Sequence, residues 1–228
     1  MKLSLLLHMS EKFEQEEARA DVYPMVKYWV ENNETDLEKI RGIATLLFVW
    51  NAGYYGRAGI GFQGAVKNAE EVLGNRKFRE LFNHLEHFNL LDINFNLYNK
   101  EIVGIFRNAQ KSQGLGPTGA SKILSILNPQ LFVMWDKEIY NHYHFLHRRR
   151  GQYHQKANSK CYFEFLKDMQ HEANELITYS TKEKIENGLH EISGYNKPIA
   201  KALDEFNYMI YTIPKTKSRK RTRIKRAH

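Results

Sequence analysis

The chain has 228 residues, enough for one large domain or two small subdomains whose core needs no covalent staples. A single cysteine, Cys161, excludes an internal disulfide framework, a four-cysteine zinc site and a cysteine-ligated iron–sulfur cluster. The formal net charge of +8 belongs to one segment. Lys215 to His228 holds eight basic residues and no acid; removing those eight from the 34 basic residues leaves 26, against 26 acidic ones.

A neutral body with a basic tail suggests an arm for a polyanion or a localisation signal, with a merely solubilising tail as the plainer reading. A membrane partner is not expected, because Ile224 is the tail's only large apolar residue and no stretch approaches the ~20 apolar residues of a span. The Leu3-Ser4-Leu5-Leu6-Leu7 run is too short for a signal-peptide core. The expectation is a soluble intracellular protein of the cytoplasm or nucleoid, or of the nucleus in a eukaryote.

In chain order, Ser10 to Ala20 reads as a charged helix and Met25 to Glu31 as a short one after Pro24. Thr35 and Glu38 form a capping box, opening a helix through Leu37, Ile40, Ile43, Ala44, Leu47 and Phe48 to about Asn51. The glycine-rich piece Asn51 to Gly64 interrupts it. Ala65 to Leu73 and Lys77 to His87 read as helices, Asn89 to Asn99 as irregular or a short helix, and Glu101 to Ala109 as a helix. Lys137 to Leu146, Cys161 to Thr178, Lys182 to Ile192 and Pro198 to Tyr211 continue the pattern. Strand-like alternation is nearly absent, so the fold class is all-α.

The stretch Gln113 to Ile139 carries the chemistry. Gly114, Gly116 and Gly119 make a tight loop running into an apolar helix; a turn at Asn128-Pro129 follows, then Leu131 to Trp135 and Asp136. The loop matches G-x-G-x-x-G, but Arg107 to Gln113 before it is polar, where a dinucleotide fold needs an apolar strand. A helix–hairpin–helix fits better, its amides and helix N-terminus facing a phosphate. The plainer alternative is an αα-corner whose glycines only turn the chain. For Asp136 the plainer role is an N-cap, which is compatible with catalysis.

These residues, with Ile139 three positions after Asp136, resemble the helix–hairpin–helix DNA glycosylase superfamily that includes endonuclease III. Upstream, Ile43 to Gly53 resembles that family's apolar helix ending in an amide that probes the duplex. The resemblance spans roughly Ile40 to Tyr143. It implies a two-lobed helical domain over 1–213, with the hairpin lobe at about 37–146 and the other lobe built from the N-terminal helices and 155–213, followed by a basic tail at 214–228.

It implies a base excision repair enzyme that binds double-stranded DNA as a monomer, flips out a damaged, mismatched or modified base and hydrolyses its N-glycosidic bond. Asp136 is the expected catalytic carboxylate and Asn51 the duplex probe; Gly114, Gly116, Thr118 and Gly119 form the phosphate clamp, and no metal or cofactor is expected. Bifunctional members carry a lysine where this chain has Thr118, so hydrolysis without strand cleavage is expected. Lys122, one turn further on, is the alternative amine for a glycosylase/lyase, and a non-catalytic DNA binder is the other alternative. Trp50, Tyr54, Tyr55 and Trp135 are candidates for the base pocket or wedge, with Tyr54 and Tyr55 expected to be the exposed ones. Arg148, Arg149 and Arg150, within a basic stretch from Lys137 to Lys160, are candidate phosphate contacts, a charged loop being the plainer reading.

Overall fold

A computed structural model describes residues 1–32, 35–112, 114–149 and 157–216, without the side chains of 147–149. The described residues contain no strand. Among the described residues twelve α-helices follow in order: α1 Leu3–Glu16, α2 Val22–Asn32, α3 Asp36–Trp50, α4 Ala52–Arg57, α5 Gly61–Gly74, α6 Arg76–Asn83, α7 Asn99–Gln110, α8 Gly116–Leu127, α9 Lys137–Arg149, α10 Ser159–Tyr179, α11 Lys182–Ser193 and α12 Ile199–Asn207. A π-helical turn, Tyr208–Thr212, prolongs α12. None of the described helices is long and apolar enough to cross a membrane.

The all-α expectation holds, with shifted helix ends. The first helix starts at Leu3 rather than Ser10, because Leu6 is fully buried and α1 packs on α11 and α12. It stops at Glu16; Glu17 has extended backbone and its carboxylate accepts from the Arg19 guanidinium two residues on. Thr35 caps α3 as the sequence indicates: its Oγ1 accepts from the Glu38 N–H at 3.3 Å and its hydroxyl donates to the Glu38 carboxylate at 2.7 Å. The glycine-rich piece is not a plain break, for it contains α4 and the start of α5. Gly59 and Gly61, both at positive φ, make the bend between them.

The segment 89–98 is a run of turns without a helix of its own. It is still anchored, because Leu90, Ile93 and Phe95 point into the core and Gln170 Nε2 donates to the Leu90 and Ile93 carbonyls at 2.8 Å. Asn128 performs a similar service for the Asn-Pro turn. Its amide nitrogen reaches the Leu85, Glu86 and Phe88 carbonyls, and its Oδ1 accepts from the Gln130 and Leu131 N–H groups.

Trp135 sits at the centre of the core, 2% exposed, with its ring against Phe106, Tyr140, Tyr162 and Phe165. Contacts of this kind contribute about 0.5–1.5 kcal/mol per pair beyond simple burial. The extended backbone around Trp135 is tied on both sides. Tyr162 Oη donates to the Val133 carbonyl at 2.8 Å, the Trp135 N–H donates to Ser121 Oγ at 3.2 Å, and Trp135 Nε1 donates to the Pro117 carbonyl at 3.3 Å. The last two bonds run to the first two turns of α8, so they fix Asp136 relative to the glycine loop.

Candidate active cleft

A cleft of about 190 Å³ opens where α3, α8, the 134–139 segment and α12 with its π-turn meet. Asn51, Trp50, Thr118, Lys122, Trp135 and Asp136 all line it. Those residues carry five separate roles in the sequence reading and converge on one hollow. Arg19, Asp204, Tyr208 and Thr212 complete the wall.

Asp136 is half-buried and N-caps α9, as the plainer reading had it: Oδ1 accepts from the N–H groups of Glu138 (2.8 Å) and Ile139 (3.0 Å). Oδ2 accepts from the Thr212 hydroxyl at 2.7 Å. The carboxylate is therefore held in a fixed orientation while remaining on the cleft wall. Ile139, the apolar residue three positions on, lies 1% exposed and lines the same hollow.

Lys122 is the second ionisable group. It is 6% exposed, and Nζ donates to Asn51 Oδ1 at 2.6 Å and to the Trp50 carbonyl at 3.1 Å. The Trp50 carbonyl belongs to the last turn of α3, where intrahelical donors have run out, so the amine satisfies an orphan acceptor. Both acceptors are neutral. Burial pushes the amine's pKa down to about 7, against the pull of the Asp136 and Asp204 carboxylates and with help from Arg19 and Lys201. A buried lysine near neutrality is a usable nucleophile at pH 7.

The aromatic residues divide. Trp50 is half-buried, stacked on Phe13 with centroids 6.0 Å apart, and the Arg19 guanidinium lies 4.5 Å from its ring centre. Its Nε1–H is buried and lacks an acceptor among the described residues. Arg19 is itself held by Glu17 and by Tyr208 Oη at 2.8 Å. Tyr54 and Tyr55 are not the exposed pair that their glycine neighbours suggested. Tyr55 is 1% exposed and donates to Asn68 Oδ1 at 3.0 Å, while Tyr54 packs against the hairpin. The apolar side chains that do face solvent in this region are Ile60 and Phe62.

Gly114 and Gly116 both take positive φ, +82° and +63°, which sets the loop's path. A side chain at Gly114 would strike the Tyr54 hydroxyl, since an added Cβ would fall 1.6 Å from it. Gly119 is buried at the first turns of α8. Arg150 and the side chains of Arg148 and Arg149 lie outside the described residues, as does the tail from 217 onward.

Sequence reasoning missed Arg19, Asp204, Tyr208 and Thr212. One signal was available for Asp204: it follows Ala202 and Leu203 and precedes Phe206 in a largely apolar helix, an unusual setting for a carboxylate. Nothing in the sequence links Thr212 to a residue 76 positions earlier.

Roomier hollows exist elsewhere. One of about 360 Å³ borders Lys197 and another of about 480 Å³ lies along Asp92–Asn96 and α10. Neither gathers chemistry of this kind: Lys197 is already paired with Glu14 at 2.6 Å and Glu205 at 2.7 Å. No group of three or more His, Cys, Asp or Glu suited to a metal ion occurs among the described residues. Compared with known protein families, curated proteins and solved structures, the chain matches none.

Proposed function

We propose that this protein is a DNA glycosylase of the helix–hairpin–helix kind, acting on a base extruded from duplex DNA. One observation carries the reading: Asp136, the first turns of α8 behind the glycine loop and the Asn51 end of α3 meet at a single cleft. In this reading the cleft separates two lobes, and the loop amides with the α8 N-terminus hold the backbone phosphate beside it. The Lys137–Lys160 stretch and the basic tail add phosphate contacts, which makes binding salt-dependent.

Cleavage of an N-glycosidic bond builds positive charge on the sugar. Asp136, fixed by two backbone N–H groups and the Thr212 hydroxyl, stabilises that cation or orients a water for attack at C1′. Thr118 offers no amine at the loop, so the base is released by hydrolysis. The test is a panel of duplexes, each carrying one modified base, scored for abasic sites. Asp136→Asn is expected to lower base release at least about 100-fold on a substrate the parent processes. Full retention of release overturns the catalytic role.

A second reading has its own support in Lys122, whose amine lies in the same cleft with a pKa of about 7. A neutral amine there adds to the aldehyde form of an abasic sugar and loses water to give a Schiff base, from which the strand is cut by elimination. Borohydride reduces that imine to a stable amine, so a covalent adduct that disappears in Lys122→Ala marks the lyase.

A further inference from the structure

The contact between Asn51 and Lys122 goes beyond the probe role that the family resemblance implies for the amide. Asn51 sits at the junction of α3 and α4. Its N–H donates to the Leu47 carbonyl at 2.9 Å, and its own carbonyl accepts from Tyr54 (2.8 Å) and Tyr55 (3.2 Å). The backbone is thus held from both sides, while the side chain is half-exposed and turned toward the cleft. Because a lysine ammonium only donates, the atom facing it is the amide oxygen.

We propose that Asn51 is the positioning residue for the Lys122 amine, its side-chain carbonyl fixing where Nζ stands in the cleft and setting the balance between its protonated and free forms. The proposal rests on the reading of Lys122 as a nucleophile for its use in catalysis, though its geometry does not. Four charged groups act on the amine: Asp136 from the segment before α9, Arg19 from the turn after α1, and Asp204 and Lys201 from α12. From α3 it receives only neutral acceptors, the Trp50 carbonyl and Asn51 Oδ1. The Trp50 carbonyl is part of a helix and cannot be withdrawn. Asn51 is the one contact that a side-chain change can alter without touching the helix ladder.

A neutral oxygen at this point is a compromise. It directs the amine by accepting a hydrogen bond from it, yet it adds no full negative charge that would keep the nitrogen protonated at neutral pH. Aspartate has the same shape and the opposite consequence. Asn51→Asp therefore changes charge at nearly constant geometry, and Asn51→Ala removes the acceptor.

The experiment uses the full chain and reads two things. Acetic anhydride labelling at a series of pH values, scored at Lys122 by mass spectrometry, gives the midpoint at which the amine becomes reactive. Borohydride trapping on a duplex with a single abasic site gives the adduct rate. Asn51→Asp is expected to raise the labelling midpoint by about one pH unit or more, and Asn51→Ala to lower it. At pH 7 the adduct forms about tenfold more slowly in Asn51→Asp, with Lys122→Ala as the blank. Midpoints in both variants that coincide with the parent's overturn the positioning role, whatever happens to trapping. A parent that forms no adduct while the midpoints still move overturns the nucleophile reading and leaves Asn51 as the residue that sets the amine's state. Should Asn51→Ala fail to fold, the near-isosteric Asn51→Asp decides the matter alone.

Discussion

Two lysines are buried within one interior, and their pKa values end on opposite sides of the ordinary lysine value. Lys122, in the cleft, has only neutral oxygens within bonding distance, and its pKa falls to about 7. Lys201, on α12, is 2% exposed and faces Asp204 at 2.6 Å and Glu205 at 3.6 Å. Burial pulls its pKa down as well, but the two carboxylates reverse that and hold it above the ordinary lysine value. Depth is the same; the charge of the partner decides. Lys201 belongs to a compensated cluster, with Lys197, Glu205, Ser10 and Glu14, that ties α1 to α12. Lys122 has the Trp50 carbonyl and the Asn51 amide oxygen in place of such a cluster.

The largest effect is expected where compensation is removed. Glu205→Ala takes away the acceptor of Ser10 and Lys197 and one of the two carboxylates near Lys201. It should cost about 3–5 kcal/mol of stability in urea unfolding, the scale for breaking a buried ion pair. A cost below about 1 kcal/mol would mean that this cluster is solvated and that the contrast with the cleft is illusory.

Next comes pH. The Lys122 pKa is lower in the folded chain than in the unfolded one, so between pH 7 and 10.5 the unfolded chain holds more of that proton. The penalty for burying Lys122 is therefore full below pH 7 and fades as pH rises through that window. Measured against Lys122→Met, the parent should gain stability by up to about 1.4 kcal/mol per pH unit in the window. Lys201, held above its unfolded value, has the opposite sign: its contribution is present up to the unfolded pKa and is lost as pH climbs past the folded one. Lys201→Met and Lys122→Met that drifted in the same direction with pH would break the comparison.

The smallest effect concerns the Asp136 wall. Thr212→Val removes one hydrogen bond to Oδ2 and should cost about 1 kcal/mol in the same unfolding assay. Because Oδ1 keeps its two backbone donors, Thr212→Val is expected to slow base release far less than Asp136→Asn.

Much of the helical frame could be read in the sequence, for physical reasons visible residue by residue. Thr35 and Glu38 announced the start of α3, and Ile102, Ile105 and Phe106 announced the buried face of α7. Asp136 and Lys122 could be nominated because spacing along one loop-to-helix stretch is local information. Tyr54 and Tyr55 were misjudged because flanking glycines speak for backbone freedom and not for where a ring finds its partner: Asn68 for Tyr55, Gly114 for Tyr54. Arg19 and Thr212 were out of reach. Each joins the cleft through a partner far away in sequence, Tyr208 for Arg19 and Asp136 for Thr212, and no period or motif encodes such contacts.

Thr212 also bears on the order in which the molecule becomes whole. A growing chain that has emerged as far as α9 already contains the glycine loop, Lys122 and Asp136, yet it lacks the hydroxyl on Oδ2 and the Asp204 side of the wall. The cleft closes only when the segment around 212 returns to a residue 76 positions behind it, a non-local contact of the kind that forms slowly. Until that return, the nascent protein holds Asp136 and Lys122 in an unfinished socket.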